Sequence, residues 1–185
     1  MTGATGRSRR IPYRSRLRPV AAWAGAVAVY GAAQGLSAWS AQRLAGQATR
    51  SGYAQFERPS FAPPGVVFPL VWSALNLTTA TSAWRVWRAR ESPAATSSRG
   101  SALTWWALAV VVRGGYVPLA FGRRKLWAAT GEAALLWAVM TRYALVARRV
   151  DEGAAALAVP EVAWTAFATI LSTAVAARDD GAKAP

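Results

Sequence analysis

Long uncharged runs, separated by short basic segments, dominate the hydropathy pattern of this chain. Each run approaches the roughly 20 residues that an α-helix needs to cross the hydrocarbon core of a bilayer. The pattern predicts helices at about 19–42, 65–87, 101–121, 126–147 and 153–177, with a basic tail over 1–18 and a second tail over 178–185. We therefore expect an all-α fold, an integral membrane bundle of five transmembrane helices that passes several times through a cell membrane.

The segments between these runs carry strong local signals. Residues 43–64 form the longest internal connection and end in Pro63 and Pro64, which cannot lie inside a helix without disrupting it. In a first turn the missing proline N–H costs nothing, so this pair suits the start of the second helix. Pro69 is predicted one turn farther in, where it should bend that helix. Residues 91–100 are a loop by composition.

Composition and charge place the chain at a membrane rather than on nucleic acid. Of its 185 residues, 54% are hydrophobic, and 22 Lys and Arg against 8 Asp and Glu give a net charge of +14. The basic residues cluster at the ends of the uncharged runs, as they do beside membrane spans. The six arginines of residues 1–18 are expected to contact anionic headgroups. Membrane lipids are therefore predicted partners, and nucleic acid is not.

Orientation and oligomeric state are both left open by the sequence. Twelve Lys and Arg fall on the N-terminal side of the predicted bundle and eight on the other side, which favours a cytoplasmic N-terminus. Gly31 and Gly35 have the GxxxG spacing that lets membrane helices approach closely and form dimers. In an Ala-rich helix this spacing also arises by chance, so a homodimer and a monomer are both compatible with it.

The absence of Cys and His limits the chemistry that the chain can perform. It excludes thiolate nucleophiles, disulfides, Cys/His zinc sites and haem ligation by these residues, and we predict neither a metal nor a required cofactor. Charges inside membrane helices are functional candidates by default, and the deepest in sequence are Arg113, Glu132 and Glu161. Arg113 either neutralises a carboxylate within the bundle or receives an acidic group of a ligand. Glu132 lies near a helix end and is expected to reach the interface.

Two tryptophans follow prolines on two different predicted helices. Trp72 lies three residues beyond Pro69, and Trp164 lies four residues beyond Pro160. In that position the two indoles could form the walls of a slot for a flat, apolar ligand. The alternative is ordinary core packing or an interfacial belt, which is the commoner role of tryptophan in a membrane bundle.

Several segments together carry a family resemblance. They are Arg58-Pro-Ser-Phe-Ala-Pro-Pro-Gly, Phe68-Pro-Leu-Val-Trp72, Ser82-Ala-Trp-Arg-Val-Trp-Arg, Pro118-Leu-Ala-Phe-Gly and Pro160-Glu-Val-Ala-Trp-Thr-Ala-Phe-Ala-Thr. Through these segments the chain resembles the TspO/MBR family, the tryptophan-rich sensory proteins related to the translocator protein of mitochondria. The resemblance extends from the first predicted helix to the fifth.

The resemblance implies a bacterial five-helix membrane protein, often dimeric, that binds porphyrins, and sterols in some members, beneath the loop between helices one and two. In bacterial members two pocket tryptophans, here Trp72 and Trp164, are implicated in light-dependent breakdown of bound protoporphyrin. The predicted ligand is thus protoporphyrin IX or a related tetrapyrrole. The predicted ligand-binding residues are Phe61, Pro63, Pro64, Phe68, Pro69, Trp72, Asn76, Arg113, Tyr116, Glu161, Trp164, Phe167 and Ala168. The family also implies a cytosolic C-terminus, which disagrees with the charge bias.

The chain departs from the family at several pocket positions. Val66, Asn76, Arg113, Tyr116, Glu161 and Ser172 stand where Trp, Tyr, Asn, Trp, Tyr and Asn are usual. Arg113 and Glu161 have opposite charges and are predicted to form a compensating pair. Residues 170–175 lack the tyrosine of the family's sterol motif, and a nominal match over 139–148 is a pattern that occurs by chance, so sterol binding is not expected.

Three functions are compatible with these residues. The first is porphyrin binding for sensing, shuttling or buffering, and the second is light-dependent porphyrin degradation at Trp72 and Trp164. The third is a structural or partner-binding role with a degenerate pocket. No set of catalytic acids, bases or metal ligands supports turnover without light, so no catalytic residue beyond the two tryptophans is a candidate. A transporter is least supported, because the chain has no inverted repeat.

Overall fold

Helices make up most of the computed structural model, which describes residues 20–21, 23–29, 31–32, 35, 59–89, 93–116, 119–120 and 125–181. Helix α1 consists of the helical residues between 20 and 35, and it is followed by α2 (Val67–Arg88), α3 (Pro93–Arg113), α4 (Leu126–Ala147) and α5 (Glu152–Gly181). The described residues contain no strand, so the predicted all-α, five-helix fold is confirmed. The tail predicted over 1–18 and most of the connection over 43–64 lie outside the described residues.

Small side chains form the centre of the bundle. Helix α5 packs along α4 and α2, and α3 packs mainly against α4. The helices meet through fully buried alanines, among them Ala80, Ala102, Ala109, Ala147, Ala154 and Ala158. The largest fully buried side chains are those of Tyr143 and Met140. Small residues let helix backbones approach closely, which is a common packing mode of membrane helices.

Helix α1 joins the bundle through a polar contact with α2. The indole nitrogen of Trp23 donates a hydrogen bond of 3.1 Å to the hydroxyl of Thr81. A β-carbon built at Gly31 or Gly35 would meet no atom within 4 Å. The GxxxG pair of α1 therefore makes no close helix contact with the described part of the bundle.

A proline-rich segment, residues 59–66, precedes α2 and is called the lip below. It turns at the start, where the backbone N–H of Ala62 donates to the carbonyl of Pro59 at 3.0 Å. Because α2 begins at Val67, Pro69 lies in its first turn, where an N–H has no helical acceptor in any case. The predicted bend at Pro69 is therefore not required, since this proline removes no helical hydrogen bond.

Helix α3 differs most from its prediction. It begins at Pro93, so the loop predicted over 91–100 is wrong for residues 93–100, which form the first two turns of α3. A proline at the start of a helix loses no hydrogen bond and has the right φ, which explains why a polar, proline-containing segment is helical here. The continuous helix ends at Arg113, because Gly114 and Gly115 follow and glycine disfavours helix by about 1 kcal/mol relative to alanine. Residues 116, 119 and 120, within the predicted helix, are helical again after this glycine turn.

Helices α4 and α5 form the most extensive contact of the bundle. Helix α4 has the predicted bounds, whereas α5 runs through to Gly181 and contains Pro160 in its interior. Residues 178–181, predicted as part of a C-terminal tail, are thus helical. The indole nitrogen of Trp127 donates to a carboxylate oxygen of Asp180 at 2.7 Å, which fastens the end of α5 to the start of α4.

The outer surface of the bundle is rich in large apolar side chains. Exposed examples lie on four helices: Leu70, Leu77, Val111, Leu135, Leu145 and Ile170. Within the described residues, helix Glu152–Gly181 is the element whose length and apolar composition suffice to cross a membrane. Contiguous apolar surface of this kind is typical of proteins that contact lipid or partners.

Candidate functional site

Five aromatic rings from the lip, α2 and α5 form a continuous cluster: Phe61, Phe68, Trp72, Trp164 and Phe167. We call this set the aromatic cluster. Trp164 is its centre, with ring centroids 5.9 Å from Phe68, 6.4 Å from Trp72 and 5.3 Å from Phe167. Phe61 of the lip extends the cluster outward, 6.4 Å from Phe167. Phe61 is exposed and the other four rings are half-buried, so the cluster runs from the surface into the bundle.

The helical period explains why these rings meet. Phe68 and Trp72 are four residues apart on α2, and Trp164 and Phe167 are three apart on α5, so each pair lies on one helix face. The two faces oppose each other because α2 packs against α5. The lip then places Phe61 against Phe167 of α5.

The two tryptophans that the sequence singled out are in contact with each other. Their ring planes are at 89°, so the edge of one indole meets the face of the other. They do not stand as parallel walls, and a flat ring placed between them would have to turn one of the side chains. The indole nitrogen of Trp164 is buried and has no hydrogen-bond partner among the described residues.

A charged cluster lies next to the aromatic cluster and consists of Asn76, Thr79, Arg113 and Glu161. Arg113 and Glu161 form a buried ion pair, which confirms the predicted pairing of these two charges. The guanidinium also donates to the side-chain oxygen of Asn76 at 2.5 Å, and the hydroxyl of Thr79 donates to the Glu161 carboxylate. Glu161 is fully buried and Arg113 is 4% exposed. Buried charges need partners of this kind, because desolvation alone would be prohibitive.

Arg113 joins the two clusters. Its guanidinium carbon lies 4.9 Å from the ring centroid of Trp72, within the range of a cation–π contact. One face of Trp72 therefore meets the cation, while the same side chain also contacts Trp164 edge to face. A ligand lying on the aromatic cluster would be separated from the guanidinium by little more than the thickness of an indole.

Glu132 of α4 is a second buried carboxyl in this region. Both of its carboxyl oxygens are buried and have no hydrogen-bond partner among the described residues. A β-carbon built at Gly115 would lie 3.5 Å from its Cγ, so the side chain packs against the glycine turn that ends α3. The expectation that Glu132 reaches the membrane interface is therefore wrong, because its polar atoms point into the bundle.

The remaining predicted site residues surround these clusters. The hydroxyl groups of Tyr116 and Ser172 form a hydrogen bond of 2.7 Å, which connects the end of α3 to α5. Pro63 and Pro64 belong to the lip, with Pro63 half-buried and Pro64 exposed. Pro69 is exposed in the first turn of α2, and Ala168 is half-buried beside Phe167.

Sequence reasoning missed Thr79, although a positional signal existed. Thr79 lies three residues after Asn76 and seven after Trp72, so all three share one face of α2. The side chain was overlooked because a hydroxyl on a membrane helix usually bonds to its own backbone, as Thr81 does to the carbonyl of Leu77 at 2.7 Å. Within the described residues no group of three or more acidic, His or Cys side chains is arranged to hold a metal ion.

Comparison with known proteins relates the chain to a single family. A model of the TspO/MBR family matches residues 22–178. Protein CrtK of Rhodobacter capsulatus is 30% identical over 132 residues, which cover 71% of this chain and 80% of that protein. A tryptophan-rich sensory protein of Cereibacter sphaeroides is 27% identical over 120 residues, or 65% of this chain and 72% of that protein. Tryptophan-rich protein TspO of Chlorobaculum tepidum is 27% identical over 124 residues, 65% and 74% of the respective chains.

The extent of the match agrees with the structure. It reaches from α1 to α5 and includes every residue of the aromatic and charged clusters. The three relatives are bacterial, and the family is membrane-associated. The family model covers far more than half of the chain, and the motifs that suggested the resemblance lie at the lip, in α2, in α5 and in the segment after α3. This chain is therefore a member of the TspO/MBR family.

Proposed function

We propose that this protein spans a bacterial membrane several times and binds a porphyrin or related tetrapyrrole on its aromatic cluster, for sensing, shuttling or buffering. One observation carries the proposal: rings from the lip, α2 and α5 form a continuous surface that leads from the exterior into the bundle. A flat conjugated ligand can stack on such a surface, and each aromatic pair contributes about 0.5–1.5 kcal/mol beyond area burial. Membership of the TspO/MBR family supports the same ligand class.

A buried polar atom at the cluster also favours a ligand. The indole N–H of Trp164 lacks a protein acceptor among the described residues, and buried donors in folded proteins nearly always have one. A tetrapyrrole carries nitrogen and oxygen acceptors at the centre and edge of its ring. One of these groups would satisfy the donor when the ring lies against Trp164.

The apolar outer surface of the helices supports the proposal of five membrane passes. Helix α5 meets the length and composition expected of a span. The other described helices place large apolar side chains outward, such as Leu70 on α2, Val111 on α3 and Leu135 on α4. A bundle whose helices pack through small residues and whose outer surface is apolar is suited to lipid rather than to water. Membrane lipids would thus be its immediate partners.

The proposal is tested by quenching of tryptophan fluorescence with protoporphyrin IX in purified, detergent-solubilised protein. Saturable quenching is expected, and Trp72→Phe should weaken binding about fivefold, because the smaller ring loses roughly 1 kcal/mol of aromatic contact. Trp137→Phe is the matched control, since Trp137 is 43% exposed on α4 and lies outside the aromatic cluster. No saturable quenching in the wild type would contradict porphyrin binding. Equal weakening in both variants would place the ligand elsewhere.

Light-dependent porphyrin degradation is the alternative that a specific observation supports. The two candidate indoles, Trp72 and Trp164, touch each other within one cluster, so a photoexcited ring bound there would lie against both. Illumination of the loaded protein should then produce a new absorbance band that is absent in the dark and reduced in Trp72→Phe. If illuminated and dark samples remain identical, the site binds porphyrin without degrading it.

A further inference from the structure

The guanidinium of Arg113 already has a carboxylate partner inside the protein. We infer that Glu161 occupies the position that a ligand carboxylate would otherwise take on Arg113, so that the site accepts tetrapyrroles that are uncharged at the edge facing α3 and α5. The ligand class is then a ring whose side-chain acids are esterified, absent or directed away from Arg113, rather than a free diacid with a propionate on that arginine. This inference rests on the proposed function and specifies the ligand of the same site.

Arg113 contacts several described residues inside the bundle. It pairs with Glu161, donates to Asn76 at 2.5 Å and lies 4.9 Å from the Trp72 centroid. Thr79 donates to the Glu161 carboxylate from the other side, which holds the acceptor in place. A ligand carboxylate that paired with the same side of the guanidinium would have to displace Glu161. That exchange would leave one buried carboxylate without its counter-charge, which is strongly unfavourable.

Glu132 is a second carboxyl group buried close to Arg113. Its two carboxyl oxygens are buried near the glycine turn after Arg113 and have no hydrogen-bond partner among the described residues. Among the described residues, the interior around the end of α3 thus contains one guanidinium, from Arg113, and two carboxyl groups, from Glu132 and Glu161. A further carboxylate at this position would lose its hydration and would find the guanidinium already paired with Glu161, which is unfavourable. A neutral ring edge meets no such penalty.

The test compares protoporphyrin IX with its dimethyl ester, which has the same ring without the two charges. Both are titrated into wild type and Glu161→Gln in the same detergent, so that differences in partitioning cancel between proteins. Glu161→Gln should strengthen binding of the diacid about tenfold, because Arg113 becomes available for a charge-assisted hydrogen bond. Binding of the ester should change less than about twofold. Glu152→Gln is the matched control, since Glu152 is exposed at the start of the same helix, and it should change neither.

A double variant keeps the test decisive if Glu161→Gln does not fold. Arg113→Gln with Glu161→Gln removes both charges, and it should bind each ligand as the wild type does. If a ligand carboxylate binds Arg113 in the wild type, the double variant will instead lose about tenfold in diacid binding while ester binding is retained. That result overturns the inference, as does unchanged diacid binding in folded Glu161→Gln. Failure of the wild type to bind either ring contradicts the proposed function itself, and the inference falls with it.

Discussion

Arg113 and Glu161 show how two departures from a family pattern compensate each other. Each charge would be costly alone in the interior, and together they form a pair that Asn76 and Thr79 complete with hydrogen bonds. The pairing could be predicted from sequence because two opposite charges appear on helices that border one site. The two polar partners could not, because their role depends on the rotation of α2 about its axis. The ion pair stabilises mainly by avoiding unpaired charge.

Loss of one member of this pair should therefore destabilise the bundle more than loss of both. Arg113→Gln is expected to lower the free energy of unfolding by about 3–5 kcal/mol, because it leaves Glu161 buried without a counter-charge. Arg113→Gln with Glu161→Gln should recover most of that loss, and so should the charge swap Arg113→Glu with Glu161→Arg. Thermal unfolding of the detergent-solubilised proteins measures the order of stabilities. A double variant less stable than both single variants would show that the two residues do not act as a pair.

At the scale of helices, the junction between α2 and α5 is held by one aspartate. Asp151 immediately precedes α5 and accepts a hydrogen bond of 2.8 Å from the backbone N–H of Ala154, which caps the helix. It also pairs with Arg85 at the end of α2, at 3.0 Å. Partial burial alone would raise the pKa of the Asp151 carboxyl, but the hydrogen bonds from Ala154 and Arg85 outweigh burial and hold the pKa below its usual value.

Acid should remove the contribution of this junction. A carboxyl whose pKa is lowered by folding stabilises the folded state above the unfolded-state pKa of about 3.9, and the contribution is lost as the pH falls through the lower folded-state pKa. Asp151→Ala should thus cost about 1 kcal/mol at pH 7 and progressively less below about pH 4. Asp151→Asn keeps an oxygen acceptor for Ala154 and should cost less at pH 7. Thermal unfolding at both pH values measures this, and a cost for Asp151→Ala that stays constant down to pH 2 would contradict it.

At the scale of the whole molecule, one serine connects three helices. The hydroxyl of Ser82 on α2 donates its one hydrogen to the carbonyl of Ala154 on α5, at 2.6 Å. The hydroxyl of Tyr143 on α4 lies 2.6 Å from the Ser82 oxygen and must therefore be the donor in that second hydrogen bond. All three residues are fully buried. Tyr143 is also a central member of the apolar core, which places this polar node where α2, α4 and α5 pack together.

The direction of these bonds makes Ser82 the critical member. Ser82→Ala should destabilise the protein by about 1–3 kcal/mol, because it leaves the buried Tyr143 hydroxyl without an acceptor. Tyr143→Phe should cost only about 1 kcal/mol, since Ser82 keeps its bond to the Ala154 carbonyl. Unfolding of the two single variants and the double variant measures the coupling between the side chains. Equal costs for the single variants, with simple additivity in the double variant, would show that the node is not cooperative.

The fold was largely predictable from sequence, and the finer geometry of the site was not. The positions of the helices were predicted from the uncharged runs, and the rings of the aromatic cluster were predicted from the family motifs. The start of α3 was missed because a Ser/Thr-rich segment after a proline has the composition of a loop, although Pro93 is well placed to begin a helix. The edge-to-face contact of Trp72 and Trp164 was missed for a different reason. Side-chain angles follow from packing between helices, which hydropathy does not record.

The buried ion pair also has a consequence for biogenesis. Arg113 lies on α3 and its counter-charge lies on α5, which is synthesised last of the five helices. An unpaired charge buried in a helix bundle is costly, so the arginine at the end of α3 needs a counter-charge from another helix. Glu161 on α5 supplies that counter-charge. A nascent chain that stops before Glu152 therefore lacks the carboxylate that pairs with Arg113, a difference by which cellular quality control could tell unfinished copies from finished ones.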